Sequence, residues 1–171
     1  MLTTINPKQL TFADARTYLG ALLFIAGNIA LPQLCHLFAL GGPTWLPIYF
    51  FTLIGSLLCG WRVGLLTALA SPLINCAAFG MPAAALLPAI VLKSVLLASA
   101  AGFAATRLDK INLLTIVAIV AFYQLFGSLG EWAICGDLHT ALLDLRIGLP
   151  GMLVQILGGY ITVKLINNHK I

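Results

Sequence analysis

Charge is what this sequence has least of. Of 171 residues only nine are Lys or Arg and five Asp or Glu, so 8% are charged against about a quarter in a soluble domain. A water-facing surface cannot be built from so few ions. The scarcity excludes an ordinary soluble globule, and lipid is expected to cover most of the exterior of a single compact domain spanning 1–171. The signatures of catalysis are also missing. No GxxxxGK[ST] occurs, so the chain has no phosphate-cradling loop, and an ATP-driven role needs a partner. HExxH and GxSxG do not occur, and Gly127-Ser128-Leu129-Gly130 has the wrong spacing for a hydrolase elbow. No enzymatic activity is expected. The four cysteines, Cys35, Cys59, Cys76 and Cys135, contain no CxxC pair and read as small buried hydrophobes. No metal and no cofactor is expected.

What is present is apolar: 61% of the residues are hydrophobic. A bilayer-crossing helix needs about 20 mainly apolar residues. Six runs approach that length, at 18–40, 45–60, 62–79, 83–105, 113–129 and 148–166. They are separated by the GGPT at 41–44, by Gly60 and Trp61, by Gly80-Met81-Pro82, by the charged stretch 106–112 and by a polar insertion at 130–147. The second and third runs are continuous except at Gly60-Trp61-Arg62, which predicts a tight helical hairpin. One helix through both would place Arg62 in mid-membrane, at about 2.5–3.5 kcal/mol on insertion scales. The polar first residues lead into an apolar run without a small-residue cleavage site, so no removable signal peptide is expected.

The basic residues are scattered one or two at a time, which argues topology and not nucleic-acid binding. With six spans and both termini in the cytoplasm, Lys8, Arg16, Arg62, Arg107, Lys110, Lys164 and Lys170 lie inside, seven of the nine basic residues. Arg146, Glu131, Asp137 and Asp144 lie outside. This is the positive-inside pattern, and Tyr18, Trp45 and Trp132 fall near span ends as interfacial aromatics do.

An ionisable group inside a span marks a functional site by default. Lys93 lies about ten residues, roughly 15 Å, into the fourth span. It either meets an anionic or polar group of a ligand, pairs with Glu131 or Asp144, or snorkels outward. Gln33 and His36 on the first span, Asn75 on the third, and Tyr123 and Gln124 on the fifth share a bias toward the outer half. Asn28 and Gln155 add to the intramembrane polar set. Each alone reads as a helix–helix hydrogen bond; together, with Trp45, Tyr49 and Trp132 nearby, they suit a small planar ligand that is stacked and hydrogen-bonded. The insertion 130–147, with Glu131 and Trp132, is either a lid over that pocket or a solvated connector. Prolines 32, 47, 72, 88 and 150, which interrupt or open the runs, hint at a cavity. Ala26 and Ala30 form a small-xxx-small pair that lets another helix approach closely.

Six short spans, the Ala26/Ala30 pair, the run GGPTWLPIYFFTLIGSLLCGWRVGLLTALASPLIN and the GMP that precedes a proline-led helix resemble the substrate-binding S components of energy-coupling factor (ECF) vitamin transporters. The resemblance covers about 18–166. It implies a six-helix bundle in a prokaryotic cytoplasmic (inner) membrane that captures a vitamin or vitamin precursor at the outer face. It also implies partners, a transmembrane coupling protein and two ATPase subunits, with Ala26 and Ala30 packing against the coupling protein. Nickel and cobalt members carry a histidine next to the initiator methionine. Here Leu2 follows Met1, against a metal as ligand. A stand-alone small membrane transporter or a membrane scaffold subunit is the alternative from the residues alone.

Overall fold

The computed structural model describes residues 3–4, 10–35, 37, 41–108 and 110–168, with backbone only at 3, 4, 41, 138, 140, 143, 144, 167 and 168. The chain is an all-α multi-pass membrane protein. Five helices are long and apolar enough to cross a bilayer: α1 (Ala15–Cys35), α4 (Trp61–Phe79), α5 (Leu87–Arg107), α6 (Leu113–Cys135) and α8 (Leu149–Asn168). Shorter helices are α2 (Gly41–Trp45), α3 (Phe50–Cys59) and α7 (Leu138–Ile147). A two-residue antiparallel pair joins β1 (Thr3–Thr4) to β2 (Lys110–Ile111).

Local chemistry sets the ends. Asp14 accepts the Arg16 amide through its carboxylate at 3.0 Å and so caps α1; the Asn112 side chain accepts the Thr115 amide at 2.8 Å and caps α6. The expected hairpin forms, with α3 ending at Cys59, Gly60 as the turn and α4 beginning at Trp61. Arg62 lies at that turn. Its guanidinium donates to the Leu10 carbonyl at 3.1 Å and sits 5.0 Å over the Trp61 ring and 5.7 Å over Phe12. The N-terminal segment, the 60–62 turn and the 108–112 connection therefore share one end of the bundle.

The expected boundaries shift where a neighbour overrides local polarity. The run 45–60 is not one helix. Pro47 disfavours right-handed helical backbone at the residue before it, and the break falls there: Leu46 is left-handed (φ 46°), between α2 and a 3₁₀ turn at Pro47–Tyr49. The uninterrupted apolar helix is then only Pro47–Cys59, too short to span by itself. The fourth run starts later, at Leu87, because Ala84–Leu86 is a 3₁₀ turn and Pro88 opens the helix behind it. The insertion 130–147 is largely helical: α6 continues to Cys135, and α7 follows. Glu131 does not stop α6 because its charge is neutralised inside the bundle, and the helix ends instead at Gly136.

Short as it is, α3 is the centre of the protein. Every residue from Thr52 to Leu57 is buried. Leu53 and Leu57 join Leu97 and Ala101 of α5, Ile116, Val120 and Tyr123 of α6, and Val163 of α8 in one cluster, while Ile54 joins Phe24 and Ile25 of α1 and Val63 of α4 in another. Small residues on α5 (Ala98, Ala101, Gly102, Ala105) let the backbones approach, as in lipid, where burial gives no hydrophobic gain between helices. The exterior is the reverse: Leu153, Leu157, Ile161 and Leu165 make an exposed stripe along α8. In water such a surface would aggregate; in a bilayer it matches its solvent.

Asn28 ties three helices together. Its amide donates to Thr52 Oγ1 at 2.9 Å and to Ser71 Oγ at 3.3 Å, and its Oδ1 accepts the amide of Phe51, a donor that the first turn of α3 leaves unpaired. Asn28→Leu keeps the volume and removes all three bonds. It is expected to cost about 2 kcal/mol, at about 0.6 for each hydrogen bond in a membrane protein, read as a lower midpoint in detergent unfolding; an unchanged midpoint would show the network to be idle.

Candidate functional site

At the end of the bundle opposite Arg62, the prolines open a space. Pro32 in α1 has no N–H, which frees the carbonyl of Asn28 four residues earlier. Asn75 of α4 fills that vacancy, its Nδ2 donating to Asn28 O and to Ser71 O, each at 3.0 Å. Beyond this tie, residues 42–43 and 46–49, which precede α3, face the connection from α4 into α5. The result is a cavity of about 270 Å³. Its walls are Pro32, residues 42–43 and 46–49, Asn75, and Met81, Pro82, Ala83, Leu86 and Ile90 from the connection into α5.

The 42–49 wall is held in place from α8. Gln155 donates to the carbonyl of left-handed Leu46 at 3.5 Å, and its Oε1 accepts the Tyr123 hydroxyl at 2.8 Å. The Tyr123 ring packs on Tyr49, centroids 5.3 Å apart, and Tyr49 is itself a cavity wall. Gly151 makes the approach possible: a Cβ there would collide with the Trp45 carbonyl group, a backbone that cannot swing away as a side chain can. A strained, non-glycine left-handed residue of this kind costs on the order of 1–3 kcal/mol and persists where surrounding contacts over-determine it.

Of the expected binding residues, Tyr49 and Asn75 line this cavity. Gln33 stands beside it, donating to Asn75 Oδ1 at 3.4 Å. His36 lies outside the described residues. Trp45 and Trp132 are not among the cavity walls, and the two residues are 43% and 46% exposed, as aromatics at a membrane interface are. Tyr123 supports the cavity from behind.

Lys93, Gln124 and Glu131 belong to a separate polar strip between α5 and α6. Lys93 Nζ lies 2.6 Å from Glu131 Oε2, and the two residues are only 1% and 5% exposed. Of the alternatives open for Lys93, the structure shows the ion pair with Glu131. Gly127 is what admits it, since a Cβ at that position would overlap the Lys93 stem. Gln124 and Ser128 share that face of α6 and are buried with no hydrogen-bond partner among the described residues. The strip supplies no wall of the cavity.

Sequence reasoning missed the apolar walls. Pro32 and Pro47, which interrupt the apolar runs, do line it, and Met81 and Pro82 come from the break before α5, but Leu46, Leu86 and Ile90 carry no signal, because an apolar residue facing a cavity looks like one facing lipid. A second surface lies on α1, where Ala26 and Ala30 are exposed in line with Leu19, Leu22, Leu23 and Leu34. The alanines leave a shallow trough along that face. Compared with protein-family models, with curated proteins and with solved structures, the chain shows no significant match.

Proposed function

We propose that this chain is the substrate-capturing subunit of an ATP-driven importer of the energy-coupling factor type. It takes a small vitamin-like molecule at the outer face of a prokaryotic cytoplasmic membrane and hands it inward with a coupling protein and two ATPases. The observation that carries the reading is the cavity of about 270 Å³ at one end of the bundle, lined on one side by residues 42–43 and 46–49, in a sequence without a nucleotide-binding loop. The exposed alanine trough on α1 supplies a face for the coupling protein, and a partner helix would cover the leucines beside it.

The same reading has six crossings, with the α2–α3 segment as the second, and both termini in the cytoplasm. Arg62, Arg107 and Lys110 support it, because they gather at the end shared with the N-terminal segment, opposite the cavity. The α6–α7 region lies at the same end of the bundle, where α7 contacts α2 and α6, and in this reading it is the outer connection beside the cavity, without supplying one of its walls.

The test is co-expression with a coupling protein and its ATPases, then affinity purification through this chain. Recovery of all three partners in fixed proportion is expected. Failure to recover them with every coupling module tried, while the chain itself is folded and abundant, would count decisively against the reading.

A further inference from the structure

The cavity's walls state what kind of molecule it accepts. Among the described residues no charged side chain lines it, and Asn75 carries the one carboxamide. The orientation of that amide is fixed by its surroundings. Nδ2 faces the carbonyl oxygens of Asn28 and Ser71, so the reversed amide would set three oxygens against one another. Both amide hydrogens are thereby used, and what remains is Oδ1, which accepts only a long 3.4 Å bond from Gln33 and keeps a second lone pair. At seven of the wall positions the backbone leans the same way. Pro32, Pro43, Pro47 and Pro82 have no N–H to offer, and the amides of Leu46, Tyr49 and Leu86 are already bonded to the carbonyls of Gly42, Leu46 and Ala83.

We propose that the cavity takes an uncharged, compact, ring-like ligand that donates an N–H or O–H to Asn75 Oδ1 and presents apolar faces to the prolines and Tyr49. This rests on the capture role proposed above and narrows it. A carboxylate, phosphate or ammonium in this site would be desolvated with no opposite charge among the described walls. At about 30 Å³ of liquid volume per water molecule, 270 Å³ holds roughly nine waters, the room for a single or fused ring. The rigid proline walls reduce the ordering cost of binding.

The experiment uses the full chain in lipid nanodiscs and four probes of one shape: indole, 1-methylindole, indole-3-acetate and tryptamine. Saturation-transfer NMR reports binding, and Ile90→Trp, which fills the cavity from an apolar wall, identifies the part of each signal that belongs to this site. Indole is expected to give a signal that Ile90→Trp removes. 1-Methylindole, which lacks the donor, is expected to bind about five- to tenfold more weakly, the loss of one buried hydrogen bond, and the two ions to give no signal that Ile90→Trp changes. Equal binding of either ion, equal binding of 1-methylindole, or no Ile90→Trp-sensitive signal from indole would each overturn the assignment. None of these outcomes bears on recovery of the coupling module, so this assignment and the importer reading fail separately.

Discussion

Replacing Glu131 with alanine is expected to destabilise the protein by about 3–5 kcal/mol, because the Lys93 ammonium stays in the bundle without the carboxylate 2.6 Å away. The size follows from where the pair sits. Both residues are buried between α5 and α6, and the Lys93 stem is threaded past Gly127, so the ammonium cannot simply swing out to water. The same physics says that the pair as a whole contributes little. Removing both charges, as Lys93→Met with Glu131→Met, avoids the desolvation of two ions and is expected to return stability to within about 1 kcal/mol of the parent. Detergent unfolding of the parent, the two single variants and the double variant measures this directly. A double variant as unstable as Glu131→Ala would show that these side chains do something beyond neutralising each other.

The second large effect lies on α1. Ala26→Trp places a bulky ring in the trough on α1 and is expected to abolish assembly with the coupling protein, a loss of tenfold or more in recovered partner. Ligand binding should persist, because Ala26 is exposed and contributes no wall to the cavity. Leu157→Trp on the exposed stripe of α8 is the control, equally bulky and equally lipid-facing, and should leave assembly intact. Parallel loss of binding and assembly in Ala26→Trp would mean a folding defect and not a lost interface.

How much of this was written in the sequence depends on the solvent. Long apolar runs are legible because nothing else dissolves in lipid, and α1, α4, α5, α6 and α8 each overlap a run that hydropathy picks out, with shifted ends. The Arg62 turn was legible because the cost of a buried arginine is large and local. The second run was misjudged as one helix because the effect of Pro47 falls on Leu46, a residue with no conformational signature of its own. The end of α6 was misjudged because Glu131 looks like a loop residue until its partner 38 positions earlier is known. The cavity was half legible. Its polar member Asn75 and its aromatic wall Tyr49 were recognisable as unusual within a span, whereas its apolar walls were indistinguishable from lipid-facing side chains. Lys93 attracted attention for a sound reason, but sequence spacing could not tell whether its counter-charge belonged to a ligand or to this chain.

The central claim is that the chain binds its molecule alone and moves it only with partners that hydrolyse ATP. The most direct test is accumulation, in proteoliposomes, of the radiolabelled compound that is released from the purified protein. The account predicts binding but no accumulation with this chain alone, and ATP-dependent accumulation once the coupling protein and both ATPases are added; uptake by the chain alone, without ATP, would contradict it.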